Sequence, residues 1–180
     1  GIRSLEQGKT RYTSNHGLLS MRREVSNFTK RKYGVEYDPV TEILVTVGGS
    51  EAIDGTVRAL IEPGDEVIIP EPYYPNYTTF VHAAGGVIRA LPTYPEEGYR
   101  YADRTRIESL ITKNTRAIMI TNPGNPTGVV LSEEEMRMIA DIAKKHDLFL
   151  ICDEVYREFC YDDKFGVPTM ARFDDIDDNL

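Results

Sequence analysis

Short apolar runs alternate with longer segments of mixed polarity along most of this chain. The runs are rich in β-branched residues and predict five strands, at 42–47, 66–70, 87–91, 116–121 and 148–152. The segments between them have apolar residues near helical spacing and predict four helices, near 51–61, 77–84, 103–112 and 132–146. Strands that are apolar throughout are typical of sheets covered on both faces. The pattern therefore predicts an α/β fold with a doubly wound, mostly parallel sheet and helices on both faces.

The two ends of the chain follow different patterns. Residues 1–16 are polar and rich in turn formers, which predicts an extended arm, and 18–33 predict an amphipathic helix that ends at Gly34. We therefore divide the chain into an N-terminal arm and helix at 1–34 and one α/β domain at 35–180. The acidic run at 173–180 predicts a solvated surface turn or a tail.

Composition excludes several classes of protein. The net charge of −8 argues against a nucleic-acid-binding face, and no apolar run reaches the ~20 residues of a membrane span. Cys152 and Cys160 have no histidine nearby, which argues against a metal site and fits a reduced, cytoplasmic setting. The chain opens on Gly1 and has no signal-peptide pattern. We expect a soluble cytoplasmic protein, and we expect the chain to be an excerpt of a longer one.

Polar features follow four of the predicted strands. Gly48, Gly49 and Ser50 open the helix after the first strand, where bare backbone amides could hold a phosphate, although such a turn can also be only a turn. Asp153 follows the last predicted strand, at the edge of the apolar core. A carboxylate there needs a cationic or hydrogen-bond-donating partner, or it serves as a local helix cap or salt-bridge partner. Tyr156 follows at a spacing that could face the same pocket.

Two proline-rich loops complete this set. The loop at 72–75 has two tyrosines between prolines, which could stack on a flat ring or form a packing cluster. The loop at 121–128 contains two Asn-Pro steps and two glycines, so its backbone is stiff and its two amides are fixed. We expect Asn125 to contact a ligand and Asn122 to hold the loop.

Parallel strands place these features at one edge of the sheet, where ligands of open α/β folds bind. An anion cradle, a stacking aromatic ring, amide and phenol donors and a carboxylate fit a flat, phosphorylated, nitrogen-containing cofactor. Pyridoxal 5'-phosphate is the best match, because it needs a carboxylate at its ring nitrogen to act as an electron sink. A nicotinamide site is not indicated, because 48–53 lacks the Gly-x-Gly-x-x-Gly pattern.

The residues named above resemble the fold-type-I pyridoxal-phosphate enzymes, specifically class I/II aminotransferases of the aspartate aminotransferase type. The turn at 48–52, the loop at 121–128 and the block at 153–156 occur in the family's order and spacing, and the resemblance spans about residues 8–161. It implies that 35–180 is part of the cofactor-binding large domain of a homodimer. The implied reaction transfers an amino group between an amino acid and a 2-oxo acid.

The resemblance also implies roles for individual residues. The amides of Gly49, Ser50 and Glu51 would hold the cofactor phosphate, and Tyr74 would stack on the ring. Asn125 and Tyr156 would hydrogen-bond the phenolic oxygen, and Asp153 would pair with the ring nitrogen, which makes these three the implied catalytic residues. Tyr12, in an arm at 9–12, would reach the phosphate of the partner subunit in trans.

Two departures from the family pattern affect what the chain can do. Aspartate-specific members usually have tryptophan where Tyr74 stands, and this chain has no tryptophan, so an indole donor near the substrate is lost. The family's Schiff-base lysine lies in a serine-rich turn beyond 180, and the lysines present stand in polar, helical or loop contexts. These are Lys9, Lys30, Lys32, Lys113, Lys144, Lys145 and Lys164. We therefore expect a large domain truncated before its catalytic lysine and inactive alone.

Two alternatives share these motifs. The chain could be a fragment of a pyridoxal-phosphate-dependent carbon–sulfur lyase, whose distinguishing substrate contacts would lie outside 1–180. It could also be a non-catalytic, aminotransferase-like regulatory domain.

Overall fold

The computed structural model describes residues 1–161 and 167–180, which form two compact units, Gly1–Val47 and Gly48–Leu180. The division at residue 34 that the sequence suggested stays a prediction.

The first unit contains two helices, α1 (Ile2–Glu6) and α2 (Leu19–Tyr33). The helix α1 corrects the prediction of an extended arm over 1–16, because residues 2–6 have enough helix formers for a single turn or more. The predicted amphipathic helix is α2, and Gly34 ends it in a left-handed conformation with φ of 75°. Within this unit Arg22 donates to the carbonyl oxygens of Pro39 and Val40, which ties the following segment to α2.

The second unit is a four-stranded parallel sheet with helices in between. The strands are β1 (Glu66–Glu71), β2 (Val87–Pro92), β3 (Thr115–Thr121) and β4 (Phe149–Asp153). The helices are α3 (Gly49–Leu60), α4 (Asn76–Ala83), α5 (Arg104–Leu110) and α6 (Glu133–His146). The strands lie in the order β2-β1-β3-β4, and all neighbouring pairs are parallel. The predicted α/β fold class is confirmed.

Alternate side chains of the strands pack on opposite faces of this sheet. One core combines the side of the sheet that carries Ile118 and Leu150 with residues of α5 and α6, including Ile107 and Ile139. The other core combines the side that carries Met119 with residues of α3 and α4, including Val57, Tyr77 and Val81. The sheet is therefore covered on both faces, which explains why its strands are mostly apolar.

One predicted strand is wrong. The structure assigns no strand to 42–47, where Leu44 is 61% exposed and Val47 is 92% exposed. A β-branched apolar run forms a strand only where a neighbouring strand completes its backbone hydrogen bonds. Here Val45 donates its backbone N–H to the carbonyl of His16, in an irregular segment.

The acidic run near the C-terminus is an anchored turn. Asp174–Asn179 forms a 3-10 helix in which the Ile176 side chain is fully buried in the core against α6. Asp175 accepts hydrogen bonds from Arg137, at 2.5 Å, and from Lys144, at 3.0 Å. These bonds, chiefly the one from Arg137, hold the pKa of Asp175 well below its usual range.

Candidate functional site

The polar strand ends meet at a cavity of about 200 Å³ within the second unit. It is lined by Gly49, Ser50, Ile53, Tyr74, Asn125, Asp153, Val155 and Tyr156. The cavity lies at the carboxyl ends of β3 and β4, because Asp153 is the last residue of β4 and the loop with Asn125 follows β3. This is the edge where open α/β sheets bind ligands.

The first turn of α3 forms one wall of this cavity. Gly48 precedes the helix with φ of 91°, a conformation that favours glycine and lets the chain turn directly into α3. Gly49 and Ser50, in the first turn of α3, line the cavity, so they bring the positive end of the helix dipole to it.

The Asn-Pro loop presents one amide to the cavity and buries the other. Asn122 is 1% exposed, and its Oδ1 accepts the backbone N–H of Leu131 at 3.0 Å while its Nδ2 donates to Met136 Sδ at 3.3 Å. The backbone N–H of Asn122 also donates to the carbonyl of Asp153 at 2.9 Å. Both Asn-Pro peptide bonds, before Pro123 and before Pro126, are cis.

Asn125 and Tyr156 form a hydrogen-bonded pair at the cavity. Asn125 is half-buried, and its Nδ2 donates to the Tyr156 hydroxyl oxygen at 3.0 Å. Because the phenol oxygen accepts this bond, the phenol keeps its own hydrogen for donation to a ligand. The pair can therefore offer two converging donors to one acceptor atom.

Asp153 is held on both of its carboxylate oxygens. Its Oδ1 accepts the backbone N–H of Val155 at 3.0 Å, and its Oδ2 accepts the Tyr77 hydroxyl at 2.7 Å. The Tyr77 hydroxyl also contacts Thr121 Oγ1 at 2.8 Å. Burial, reinforced by the Asp153 carboxylate, raises the pKa of the Tyr77 phenol well above its usual value, so this phenol stays protonated at neutral pH.

Tyr74 completes the cavity wall as a half-buried aromatic ring. It packs edge-on against Tyr77, with ring centroids 5.6 Å apart and planes at 84°. Its hydroxyl accepts the side-chain N–H of Asn76 at 2.7 Å, which fixes the ring. A ring fixed in this way can stack on a flat ligand.

The structure brings together most of the residues that the sequence singled out. Gly49, Ser50, Tyr74, Asn125, Asp153 and Tyr156 all line the cavity. Glu51 lies exposed in the first turn of α3 and is outside the lining. Tyr12 belongs to the first unit, where it is fully exposed.

Sequence reasoning missed the roles of Tyr77 and Thr121, which lie directly behind Asp153. Tyr77 follows Tyr74 by only three residues, and this closeness in sequence could have pointed to it. Ile53 and Val155 were also missed, because apolar lining residues resemble core residues in a sequence.

The remaining expectations from the sequence concern the lysines, the possible metal ligands and the helices. None of the lysines at 9, 30, 32, 113, 144 and 145 lines the cavity, and Lys164 lies outside the described residues. Among residues 1–161 and 167–180, no group of three or more His, Cys, Asp or Glu side chains could hold a metal ion. None of the helices that the structure describes has the length and apolar character needed to cross a membrane.

Comparisons with known proteins agree on one family. The profile of the family "Aminotransferase class I and II" matches residues 3–178. YugH of Bacillus subtilis (strain 168), which carries an aminotransferase name, is 45% identical over 164 residues, or 91% of this chain and 42% of the relative. The aspartate/prephenate aminotransferase of Thermus thermophilus is 37% identical over 92% of this chain and 43% of the relative.

A solved structure has the same fold over nearly all of the chain. The aromatic aminotransferase of Pyrococcus horikoshii OT3 superimposes with a TM-score of 0.91 at 38% identity, covering 97% of this chain and 46% of that one. The chain thus spans less than half the length of the relatives that it matches.

Proposed function

Because this chain belongs to the class I and II aminotransferase family, we propose that it is the cofactor-binding part of a pyridoxal-phosphate-dependent aminotransferase. The whole protein transfers an amino group between an amino acid and a 2-oxo acid. The observation that carries the proposal is the cavity at the carboxyl ends of β3 and β4. It combines a helix N-terminus, a fixed aromatic ring, two converging donors and a carboxylate.

Each wall of the cavity fits one part of pyridoxal 5'-phosphate. The amides of Gly49, Ser50 and Glu51 and the Ser50 hydroxyl hold the phosphate, because the helix end offers donors and a positive dipole. Tyr74 stacks on the ring.

The remaining residues act on the polar atoms of the ring. Asn125 and Tyr156 donate to its phenolic oxygen, because the 3.0 Å bond from Asn125 Nδ2 to the Tyr156 oxygen leaves the phenol hydrogen and the second amide hydrogen available. Asp153 faces the ring nitrogen and keeps a proton there, because its carboxylate is negative and fixed. When bound, the cofactor supplies a protonated pyridine ring that withdraws electrons from the substrate.

The described residues that line the cavity do not include a lysine. No described lysine lines it, so we place the lysine that moves the substrate proton outside the described residues, and we expect the 180-residue chain to bind the cofactor without turnover. We further propose a homodimer in which the exposed Tyr12 reaches the partner subunit's phosphate site. The low cysteine content, two residues in 180, fits a cytoplasmic location.

The aminotransferase proposal is preferred over a carbon–sulfur lyase or a regulatory domain because the relatives described above carry aminotransferase names. A longer protein that contains this chain should aminate 2-oxo acids and leave cystathionine-like substrates intact. Cleavage of those substrates without amino transfer would favour the lyase.

Cofactor binding by the chain tests the proposal directly. Titration of the chain with pyridoxal 5'-phosphate, followed by absorbance, should give saturable one-to-one binding. Pyridoxal without phosphate should bind at least about tenfold more weakly, because the charge-assisted hydrogen bonds of the phosphate are lost. Asp153→Ala and Ser50→Ala should each weaken binding of the phosphate form.

A matched control separates the site from general damage. Ser109, on α5, hydrogen-bonds a backbone carbonyl and does not line the cavity, so Ser109→Ala should leave the affinity unchanged. Equal binding of the two ligands, or equal loss in Ser109→Ala and Ser50→Ala, would refute the site. Borohydride reduction followed by mass spectrometry should give no stoichiometric adduct at the described lysines, and such an adduct at any one of them would refute the placement of the catalytic lysine.

A further inference from the structure

Behind Asp153, three side chains form a chain of hydrogen bonds from the sheet to the cavity. The Tyr77 hydroxyl donates to Asp153 Oδ2 at 2.7 Å and contacts Thr121 Oγ1 at 2.8 Å. A phenol has one hydrogen, so its bond to the carboxylate requires that the Thr121 hydroxyl donates to the phenol oxygen. The direction of the chain is therefore fixed, from Thr121 through Tyr77 to Asp153.

The position of the Tyr77 hydroxyl is fixed by its surroundings. Tyr77 is 1% exposed, and its ring stacks with Tyr73, at 6.3 Å between centroids and 18° between planes. Thr121 and Asp153 are paired residues at the ends of β3 and β4. One buried hydroxyl from α4 thus joins the ends of two neighbouring strands.

Asp153 needs this contact if its carboxylate is to point in one direction. Its Oδ1 is held by the backbone of Val155, two residues away, which leaves the orientation of Oδ2 to a second partner. Tyr77 supplies that partner from an element that is 76 residues away in sequence. Because the phenol is neutral and stays protonated, it can only donate to the carboxylate and does not compete for the proton of a ligand.

We propose that Tyr77 is a positioning residue that aims the Asp153 carboxylate at the ring nitrogen of the bound cofactor. The inference rests on the proposed function, since it assumes that Asp153 faces pyridoxal 5'-phosphate. Tyr77 does not touch the ring nitrogen itself, and it acts through Asp153. Its effect must therefore disappear when Asp153 is removed.

A double-mutant cycle on cofactor affinity tests this dependence. Tyr77→Phe removes the hydroxyl and keeps the buried ring, and it should weaken binding of pyridoxal 5'-phosphate about tenfold, the scale of one hydrogen bond to a charged group. In the Asp153→Ala background, the same substitution should change affinity by less than about twofold. Tyr73→Phe is the matched control, because its hydroxyl bonds Thr78 in the same ring cluster without touching Asp153, and it should stay within about twofold of the parent.

Protonation of the ring nitrogen gives a readout that a purely structural role would not move. With cofactor labelled with ¹⁵N in the ring, the nitrogen signal of the parent complex should lie at the protonated position. In Tyr77→Phe it should shift toward the unprotonated position, and in Tyr73→Phe it should not shift. Spectra are recorded at cofactor concentrations that saturate each variant, so that weaker binding does not cause the shift.

A second substitution keeps the test valid if Tyr77→Phe does not fold. Thr121→Val is nearly isosteric and removes the donor behind Tyr77, so it should weaken cofactor binding in the same direction by a smaller factor, about threefold. Urea unfolding of each variant establishes that it is folded under the binding conditions.

The outcomes separate the two proposals. If Asp153→Ala binds the cofactor as tightly as the parent, the proposed function is wrong for this cavity, and the proposed positioning role of Tyr77 is then wrong as well. If Asp153→Ala weakens binding but Tyr77→Phe does not, or if the two substitutions are additive, only the positioning role is overturned. A tenfold loss that vanishes without Asp153, together with the nitrogen shift, supports it.

Discussion

Replacing Asn122 with alanine tests whether the Asn-Pro loop is held by a buried amide. Asn122 is 1% exposed, and its Oδ1 accepts the backbone N–H of Leu131, which is 2% exposed. Alanine removes this acceptor and leaves the Leu131 N–H without its partner in a dry environment. Leu131 immediately precedes Ser132, the residue that caps α6, so the lost bond lies at a junction between the loop and the helix.

The magnitude follows from the groups that lose partners. A buried, unsatisfied backbone N–H costs about 1–3 kcal/mol. The bond from the Asn122 amide to Met136 Sδ is weak, and its loss together with the small void adds a fraction of that. We expect the free energy of unfolding to fall by about 2–3 kcal/mol, which for a chain of this size lowers Tm by about 4–12 °C.

Asn125→Ala is the matched control, because Asn125 also precedes a proline and lies three residues further along the same loop. Asn125 is half-exposed, and its bond to Tyr156 lies at the accessible cavity wall, so its removal should change the free energy of unfolding by no more than about 0.5 kcal/mol. Its effect should instead appear in cofactor affinity. Urea unfolding and cofactor titration of both variants separate these roles.

Two results would refute this reasoning. Asn122→Ala with parental stability would mean that the Leu131 N–H finds another partner. Equal destabilisation by the two substitutions would mean that the loop is not divided into a buried anchor and a presented amide.

Three further substitutions have effects that the structure specifies. Ser132→Ala should lower the free energy of unfolding by about 1 kcal/mol in urea titrations, because it removes the side-chain cap of α6; an unchanged midpoint would contradict this. Asp175→Asn should make the free energy of unfolding fall less steeply as the solution is acidified. The pKa of Asp175 is lowered in the folded state, chiefly by Arg137. The stabilisation by the Asp175 carboxylate is therefore present above its unfolded pKa of about 4 and is lost as pH falls through the folded pKa. Parallel pH–stability curves for the two proteins would exclude that contribution. Gly55→Ala should raise the free energy of unfolding by about 0.5–1 kcal/mol, because the site is an exposed helix interior with open space for a Cβ; a lower midpoint would reveal a hidden clash.

The sheet could be predicted because each of its four strands is apolar on both faces and is bounded by turn residues. The run at 42–47 has the same composition as those strands, but composition does not reveal whether a neighbouring strand is present. Leu44 is exposed in the structure, so the run does not join the core of the sheet, and that packing is not recorded in its composition. The helix starts were more reliable where a specific pair of side chains marks them, as the capping box of Ser132 and Glu135 does for α6.

The cavity residues could be predicted because parallel strands end at a common edge, so the residues that follow β3 and β4 must lie close together. The support behind Asp153 could not be predicted in the same way. A tyrosine at the start of a helix is usually a core residue, and nothing near Tyr77 in sequence distinguishes a phenol that packs from one that holds a carboxylate. That distinction depends on the register of β3 and β4 and on the position of α4 across the sheet.

The order of these elements along the chain affects how the protein is made. The helix start at Gly49 leaves the ribosome about 100 residues before Asp153, which at about 5–20 residues per second is a delay of about 5–20 s. During that interval Tyr77 is synthesised and can pack against the first strands, but its hydroxyl has no carboxylate to bind. The cavity therefore cannot bind a ligand while the first half of the domain folds, and its lining gains Asp153 only when β4 is synthesised.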